Sequence, residues 1–231
     1  MGKTAVVTGC TGGMGQILCR KLAEMGYDLG LCSNMRAELE AQAALLVQTD
    51  VKVVAECFNI YEEDRMNDFF NRVEEGIGKC GLLVNLAGVS IPTSMDTVTE
   101  KEYDTMMDVN VKGTLLASKY FARHVGLQGQ IVNIGSMAAK RANGNAPLYC
   151  AAKAAVNMLS NGMQIQLAAA NIRVTTLNPG GADTPFWGSR PVNRAKLLKA
   201  SDVVDMILFV CGLPENVAVH EINFEAMSAL R

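Results

Sequence analysis

Apolar positions along the chain follow two alternating rhythms. Short runs dense in aliphatic and β-branched residues, at 3–8, 27–33, 51–58, 81–87, 130–135, 172–178 and 217–224, predict seven strands. Several are almost continuously hydrophobic, as strands covered on both faces must be. Between them, amphipathic stretches at 13–26, 36–48, 62–77, 99–125, 147–170 and 201–211 predict helices. Thr99 followed by Glu102 has the spacing of a capping box, and Ser201 with Asp202 predicts the start of the last helix. Strand and helix alternating this regularly predict right-handed crossovers. The fold class expected is α/β, a doubly wound, seven-stranded parallel sheet flanked by helices on both faces.

The stretch 179–194, PGGADTPFWGSRPVNR, is too polar and too rich in Gly and Pro for a core element. A loop of this length in a folded domain is often functional, so a substrate lid is expected at about 181–200. With 231 residues the chain is expected to form one domain over 1–231, since domains run to about 100–200 residues and α/β domains often exceed that. The net charge of -2 and the absence of any basic run argue against a nucleic-acid partner. Seven scattered cysteines with no C-x-x-C pair read as buried free thiols of a reducing compartment. The N-terminal stretch MGKTAVVTGC has too short an apolar run for a signal peptide, and no segment has the roughly 18 apolar residues of a membrane span. A cytoplasmic protein with no membrane partner is expected.

Chemistry enters at TGCTGGMG, Thr8 to Gly15, between the first strand and the first helix. Glycines at 9, 13 and 15 allow a tight turn and let the backbone approach a pyrophosphate, which then faces the free N–H groups and positive end of the helix. A second signal is Tyr149-x-x-x-Lys153, on a predicted helix otherwise made of small and apolar residues. Residues four apart share a helix face, so a Lys153 ammonium near the Tyr149 phenol is expected to favour the phenolate and lower its pKa.

Together with NLAG at 85–88, Asn110 in VNVKG, Ser136 thirteen residues before Tyr149, and NPG at 178–180, these motifs run in one order over essentially the whole chain. The set resembles the short-chain dehydrogenase/reductase family, single-domain Rossmann enzymes that interconvert carbonyls and secondary alcohols by hydride transfer with NAD(P)(H). The resemblance implies a proton relay of Asn110, Ser136, Tyr149 and Lys153. In it Tyr149 exchanges a proton with the substrate oxygen, Ser136 hydrogen-bonds that oxygen, Lys153 also holds the nicotinamide ribose, and Asn110 positions a water. It further implies a dinucleotide site of Gly9, Thr11, Gly13, Met14 and Gly15 in the turn; Asn85, Ala87 and Gly88 after the fourth strand; and Pro179, Gly180, Ala182 and Thr184 after the sixth. No metal is implied, and His124 and His220 form no ligand-spaced cluster.

Relatives that prefer NAD carry an acidic residue at the end of the second strand, to hold the adenosine ribose. Ser33 stands there, followed by Asn34 and Arg36, all three capable of donating to a 2'-phosphate. NADP is therefore the expected cofactor, with NAD possible. Asn59, with Ile60 beside it, occupies the position where the family has an adenine-contacting Asp and keeps an acceptor oxygen.

The substrate implied is a small or medium, largely apolar carbonyl or alcohol, met by Ser136, Met137, Tyr149, Phe186 and Trp187. Two other functions are open. One is reduction of 3-oxoacyl thioesters, with Lys140, Arg141, Arg190 and Arg194 receiving an acidic carrier protein. The other is an idle dinucleotide-binding redox sensor. The resemblance also implies a homodimer or homotetramer, paired through the helices at 99–125 and 147–170 with Leu115, Leu116, Leu159 and Met163 exposed at the interface.

Overall fold

A computed structural model describes residues 3–231; Met1 and Gly2, part of the stretch inspected for a signal peptide, lie outside it. The chain runs β1 (Thr4–Thr8), α1 (Gly13–Glu24), β2 (Asp28–Ser33), α2 (Arg36–Leu46), β3 (Val53–Cys57), α3 (Glu63–Ile77) and β4 (Cys80–Asn85). It continues through α4 (Glu100–Met107), a π-helical turn (Asp108–Lys112), α5 (Gly113–His124), β5 (Val125–Ile134), α6 (Pro147–Leu167) and β6 (Ile172–Pro179). It closes with the two-residue strands β7 (Ala182–Asp183) and β8 (Leu198–Lys199), then α7 (Ala200–Cys211) and β9 (Glu221–Phe224).

Seven strands pair in the order β3-β2-β1-β4-β5-β6-β9, all parallel. The order reverses between β1 and β4, whose ends are in register at Thr8 and Asn85, so the loops that follow them open one crevice at the carboxyl edge of the sheet. Period-2 alternation feeds two cores. Ala5, Val7, Leu82, Val84, Val132 and Ile134 face the layer of α1, α2 and α7, whereas Val6, Leu83 and Ile131 face the aromatic layer of α3 and α5, with Phe69, Phe70 and Phe121.

The predicted boundaries move where side chains compete with the ladder. β4 stops at Asn85 because the chain turns toward β1, with Ala87 N donating to Thr8 Oγ1 at 3.4 Å. β5 begins at Val125, five residues before the expected start, across an irregular register opposite Cys80–Leu82. Only 221–224 of the expected last strand pairs as β9. The preceding residues are held by side chains instead, Arg173 Nη1 donating to Val217 O at 2.9 Å and Thr175 Oγ1 to Val219 O at 2.8 Å. α7 starts at Ala200 with Asp202 accepting from Lys199 N at 2.9 Å, so Ser201 lies inside the helix rather than at its cap. The capping box of Thr99 and Glu102 is present, but the helix it starts is not uniform, since the π turn widens it around Asn110.

Two of the residues expected at an exposed interface belong to the core. Leu116 and Met163 are buried, and Leu159 packs against the same cluster, because the helix faces that carry them turn toward the sheet. Leu115 is exposed as expected, and α6 exposes Met158 and Ile165. Among the cysteines, Cys57, Cys150 and Cys211 are only partly buried. Among the described residues no helix is long and apolar enough to cross a membrane.

Candidate active site

The turn after β1 is built by close approach. Gly9 has φ 62°, and a Cβ there would lie 2.7 Å from the Ala87 backbone; at Gly15 it would lie 2.3 Å from Cys10 O. α1 starts at Gly13, so the N–H groups of its first turn have no intrahelical acceptor and its positive end faces the crevice. A Cβ on Gly13 would approach Thr184 and Pro185 at 3.2 and 3.1 Å, so the segment after β7 lies across this helix start. The geometry fits a pyrophosphate cradle.

At the end of β2 the outcome differs from expectation. Ser33 is buried, its Oγ 2.7 Å from Thr11 Oγ1 and accepting from Met35 N at 3.1 Å. The two hydroxyls share two protons, and their mutual bond uses one, so the Ser33–Thr11 pair offers a single donor outward rather than Ser33 alone. Asn34 and Arg36 are exposed, Arg36 leaning on Glu40 at 3.5 Å. Asn34, Asn59 and Tyr61 line a cavity of about 420 Å³. Asn59 Nδ2 donates to Glu62 Oε1 at 2.6 Å, which spends one of its donors. Ile60 does not join them: its side chain is buried in the core, filling the space that a Cβ on Gly113 would need. Asn85 is also internal, accepting from Thr8 Oγ1 at 3.3 Å and donating to Asn133 Oδ1 at 2.8 Å.

A larger cavity, about 800 Å³, opens beside this turn. Met14, Gly88, Pro179, Gly180, Ala182 and Thr184 line it from the cofactor side expected by resemblance, and Ser136, Met137, Tyr149, Phe186 and Trp187 from the substrate side. Lys153 lines the same cavity. Its Nζ is buried, donates to Ile134 O at 2.7 Å, and is pushed by desolvation down to about 8. A Cβ on Gly88 would meet Asn110 Oδ1 at 3.0 Å and Lys153 Nζ at 3.4 Å, so glycine there lets the backbone pass close to both polar groups.

Tyr149 does not follow the pKa direction expected from its lysine. Burial pushes the phenol up to about 12, against the opposing pull of a hydrogen bond with Ser136 and the positive charge of Arg190. Lys153 Nζ sits 5.8 Å from the centre of the Tyr149 ring and is committed to Ile134 O, which explains why it does not dominate. Ser136 Oγ accepts from Ala138 N at 3.1 Å, and Ser136 N donates to Asn178 Oδ1 at 2.9 Å. Asn110, in the π turn, spends its side chain on the loop after β4: Nδ2 donates to Val89 O at 3.0 Å and to Met106 O at 2.9 Å, and Oδ1 accepts from Val89 N at 3.3 Å.

Three residues escaped notice in the sequence. Asn157 Nδ2 donates to Lys153 O and Asn178 Oδ1, both at 3.0 Å; its signal was the four-residue spacing from Lys153 on one helix face. Asn178 belongs to the NPG stretch and was visible only as part of that motif. Ser90 accepts from Arg190 Nη1 at 3.4 Å across 100 residues, and nothing local announces such a contact.

The family model described as short chain dehydrogenase matches residues 3–195. An uncharacterized oxidoreductase of Staphylococcus epidermidis is 28% identical over 223 residues, covering 96% of each chain. An alcohol dehydrogenase from the archaeon Thermococcus sibiricus, solved with 5-hydroxy-NADP, superposes with a TM-score of 0.89 at 27% identity, over 99% of this chain and 98% of that one. A short chain dehydrogenase from Burkholderia cenocepacia, solved with NADP, superposes with a TM-score of 0.90 at 26% identity over the same shares. With the glycine-rich turn after β1, the crevice, and Ser136, Tyr149 and Lys153 meeting in one cavity beside a parallel sheet, this chain belongs to the short-chain dehydrogenase family of oxidoreductases.

Proposed function

We propose that the chain is an NADP(H)-preferring carbonyl reductase that converts a ketone or aldehyde to an alcohol. The observation that carries this reading is the meeting of Ser136, Tyr149 and Lys153 in one cavity next to the N-terminus of α1. The turn at Gly9–Gly15 would hold the pyrophosphate, Lys153 the nicotinamide ribose, and Thr184 the carboxamide end. The bound cofactor supplies the hydride.

The residues of the chain handle the proton. A phenol pushed up to about 12 stays protonated at neutral pH, so Tyr149 is ready to donate to an oxygen that gains charge, which favours the reductive direction. Ser136 shares that oxygen and stabilises the charge as it develops. Lys153 keeps two of its three donors after serving Ile134 O, enough for a ribose diol. Asn110 acts by holding Val89, and with it the wall that carries Gly88. The segment 181–200 serves as a lid, crossing Gly13 through Thr184 and Pro185 and bringing Phe186 to 6.1 Å from Tyr149 between ring centres.

Support for NADP comes from Asn34 and Arg36 standing exposed at the end of β2, Arg36 held only loosely by Glu40 at 3.5 Å, with no acidic residue at the strand end, and from two NADP-type complexes among similar structures. The carrier-protein reading draws less support. Lys140, Arg141 and Arg194 are paired with Glu221, Glu225 and Asp183, which cancels most of the basic surface it needs. The test is loss of reduced-nicotinamide absorbance with NADPH and a panel of ketones and aldehydes. Turnover that Tyr149→Phe abolishes is expected. Tight NADPH binding without turnover of any carbonyl would instead favour the redox-sensor reading.

A further inference from the structure

Among the described residues, the cavity around Tyr149 is lined by three cations, Arg141, Lys153 and Arg190, and by no carboxylate. Two of the three have other engagements. Arg141 is paired with Glu225, and Lys153 serves Ile134 O at the cofactor side. Arg190 has no carboxylate partner among the described residues. Its Nε donates to Trp187 O at 2.9 Å, Nη2 to Phe186 O, and Nη1 to Ser90 Oγ at 3.4 Å. Its guanidinium carbon stands 5.2 Å from the Phe186 ring centre and 5.0 Å from that of Trp187.

These neutral contacts fix the guanidinium plane and leave its charge uncancelled. Of five N–H groups, three are used, so one remains on each Nη, enough for two bonds to one carboxylate. The order is also fixed. Arg190 packs on Phe186, and Phe186 packs on Tyr149 at 6.1 Å, so the cation stands one aromatic ring beyond the reacting phenol. Arg190 and Tyr149 line the same cavity.

We propose that Arg190 is a specificity-determining residue that binds a carboxylate of the substrate, making the preferred substrate a keto acid rather than a neutral apolar ketone. The inference rests on the carbonyl-reductase reading and deepens it. The intervening Phe186 ring sets the spacing: the carboxylate lies several bonds from the reacting carbonyl, on a body flat enough to pass along Phe186. Such a charge-assisted pair in a partly open cavity discriminates by about tenfold.

The probes are a phenyl-bearing γ-keto acid and its methyl ester, which differ in charge and by one methyl group. Binding to the full-length protein–NADPH complex is read from the fluorescence of bound NADPH, and kcat/KM is measured alongside. The wild type should prefer the acid by about tenfold or more, with the preference shrinking as salt rises. Arg190→Gln should bring the acid-to-ester ratio close to one, and Arg190→Lys should restore part of it. A role confined to holding Phe186 and Trp187 would lower both compounds together and leave the ratio intact, overturning the proposal. So would a wild type indifferent to charge or to salt, a result that needs no variant. A binding preference without turnover of either compound would support the Arg190 assignment and defeat the reductase reading; turnover without preference would do the reverse.

Discussion

Asn157 and Asn178 exchange side-chain amide hydrogen bonds, Asn157 Nδ2 donating at 3.0 Å and Asn178 Nδ2 donating back at 2.9 Å. The pair is buried and joins two parts of the proposed site. Asn178 Oδ1 also accepts from Ser136 N, and Asn157 Nδ2 also donates to Lys153 O, so the backbones behind Ser136 and Lys153 share one clamp. A Cβ on Gly135 would lie 2.0 Å from Asn178 Oδ1, which leaves glycine as the residue that lets the clamp close.

Asn157→Leu keeps the volume and removes the clamp, leaving one N–H of the buried Asn178 amide without its partner while Asn223 Oδ1 and Ser136 N keep the rest of that side chain. Loss of roughly 1–3 kcal/mol of stability is expected from the unpaired group alone. Because Ser136 and Lys153 then drift relative to each other, kcat should fall more than KM rises. A thermal melt with steady-state kinetics checks both; a variant as active as the wild type would show that the pair is merely structural.

Tyr149→Phe removes the proton donor and keeps the ring against Phe186. The protein should fold and bind NADPH with unchanged affinity while kcat falls by about 10²–10⁴-fold, the usual contribution of a positioned general acid. Near-normal kcat would require another proton source.

Lys153 gives a prediction in pH. Its folded pKa, about 8, lies below the ordinary 10.5, so the unfolded chain holds a proton that the folded one gives up between these values. The cost of burying the ammonium is fully present below about pH 8 and is relieved as pH rises toward 10.5, by on the order of 3 kcal/mol for a shift of this size. Lys153→Met carries no such titration. Buried thiols and Tyr149, raised in the fold, pull stability down at high pH in both proteins and cancel in the difference. Denaturant melts should therefore show the wild type gaining on the variant from pH 8 to 10. A flat difference would mean that Lys153 titrates normally. The same variant should bind NADPH more weakly through loss of the ribose contact.

The near-continuous apolar runs of strands covered on both faces, the Gly9–Gly15 turn and the Tyr149–Lys153 spacing were legible because each is a local pattern. Exposure was not: Leu115 and Leu116 are adjacent and equally apolar, yet one faces solvent and the other the sheet. The direction of the Tyr149 shift was not legible either, since four-residue spacing reveals neither the burial that raises the phenol nor that Ile134 O holds the Lys153 ammonium. Ser33 looked like a ligand residue and is tied up by Thr11, a partner 22 positions away. Arg190 is one basic residue in a polar loop until the fold brings Ser90, Phe186 and Tyr149 around it.

A homo-oligomer is expected from the apolar residues that α5 and α6 leave in solvent, Leu115 together with Met158 and Ile165, the last two 70% and 82% exposed. Light scattering should return two or four times the 24.8 kDa chain mass, and Ile165→Glu with Met158→Glu should lower it. A wild type of monomer mass at micromolar concentration would rule the assembly out.

Cofactor choice turns on the pair at the end of β2. With Ser33 bonded to Thr11, a 2'-phosphate meets one outward hydroxyl proton, the Asn34 amide and Arg36, which pairs loosely with Glu40 at 3.5 Å. Charge-assisted bonds from such exposed, flexible groups add about 1.5–3 kcal/mol, or roughly ten- to hundred-fold in preference for NADPH. Ser33→Asp should invert this. The new carboxylate takes over the bonds from Thr11 Oγ1 and Met35 N, which hold it at the strand end, where it accepts from the two ribose hydroxyls of NADH and repels the phosphate of NADPH. Arg36→Ala should weaken NADPH alone and leave NADH unchanged, which separates loss of attraction from gain of repulsion. The comparison is kcat/KM with both cofactors for the three proteins. A wild type that already prefers NADH, or a Ser33→Asp variant that loses both cofactors equally, would return the role of Ser33 to that of a buried turn hydroxyl.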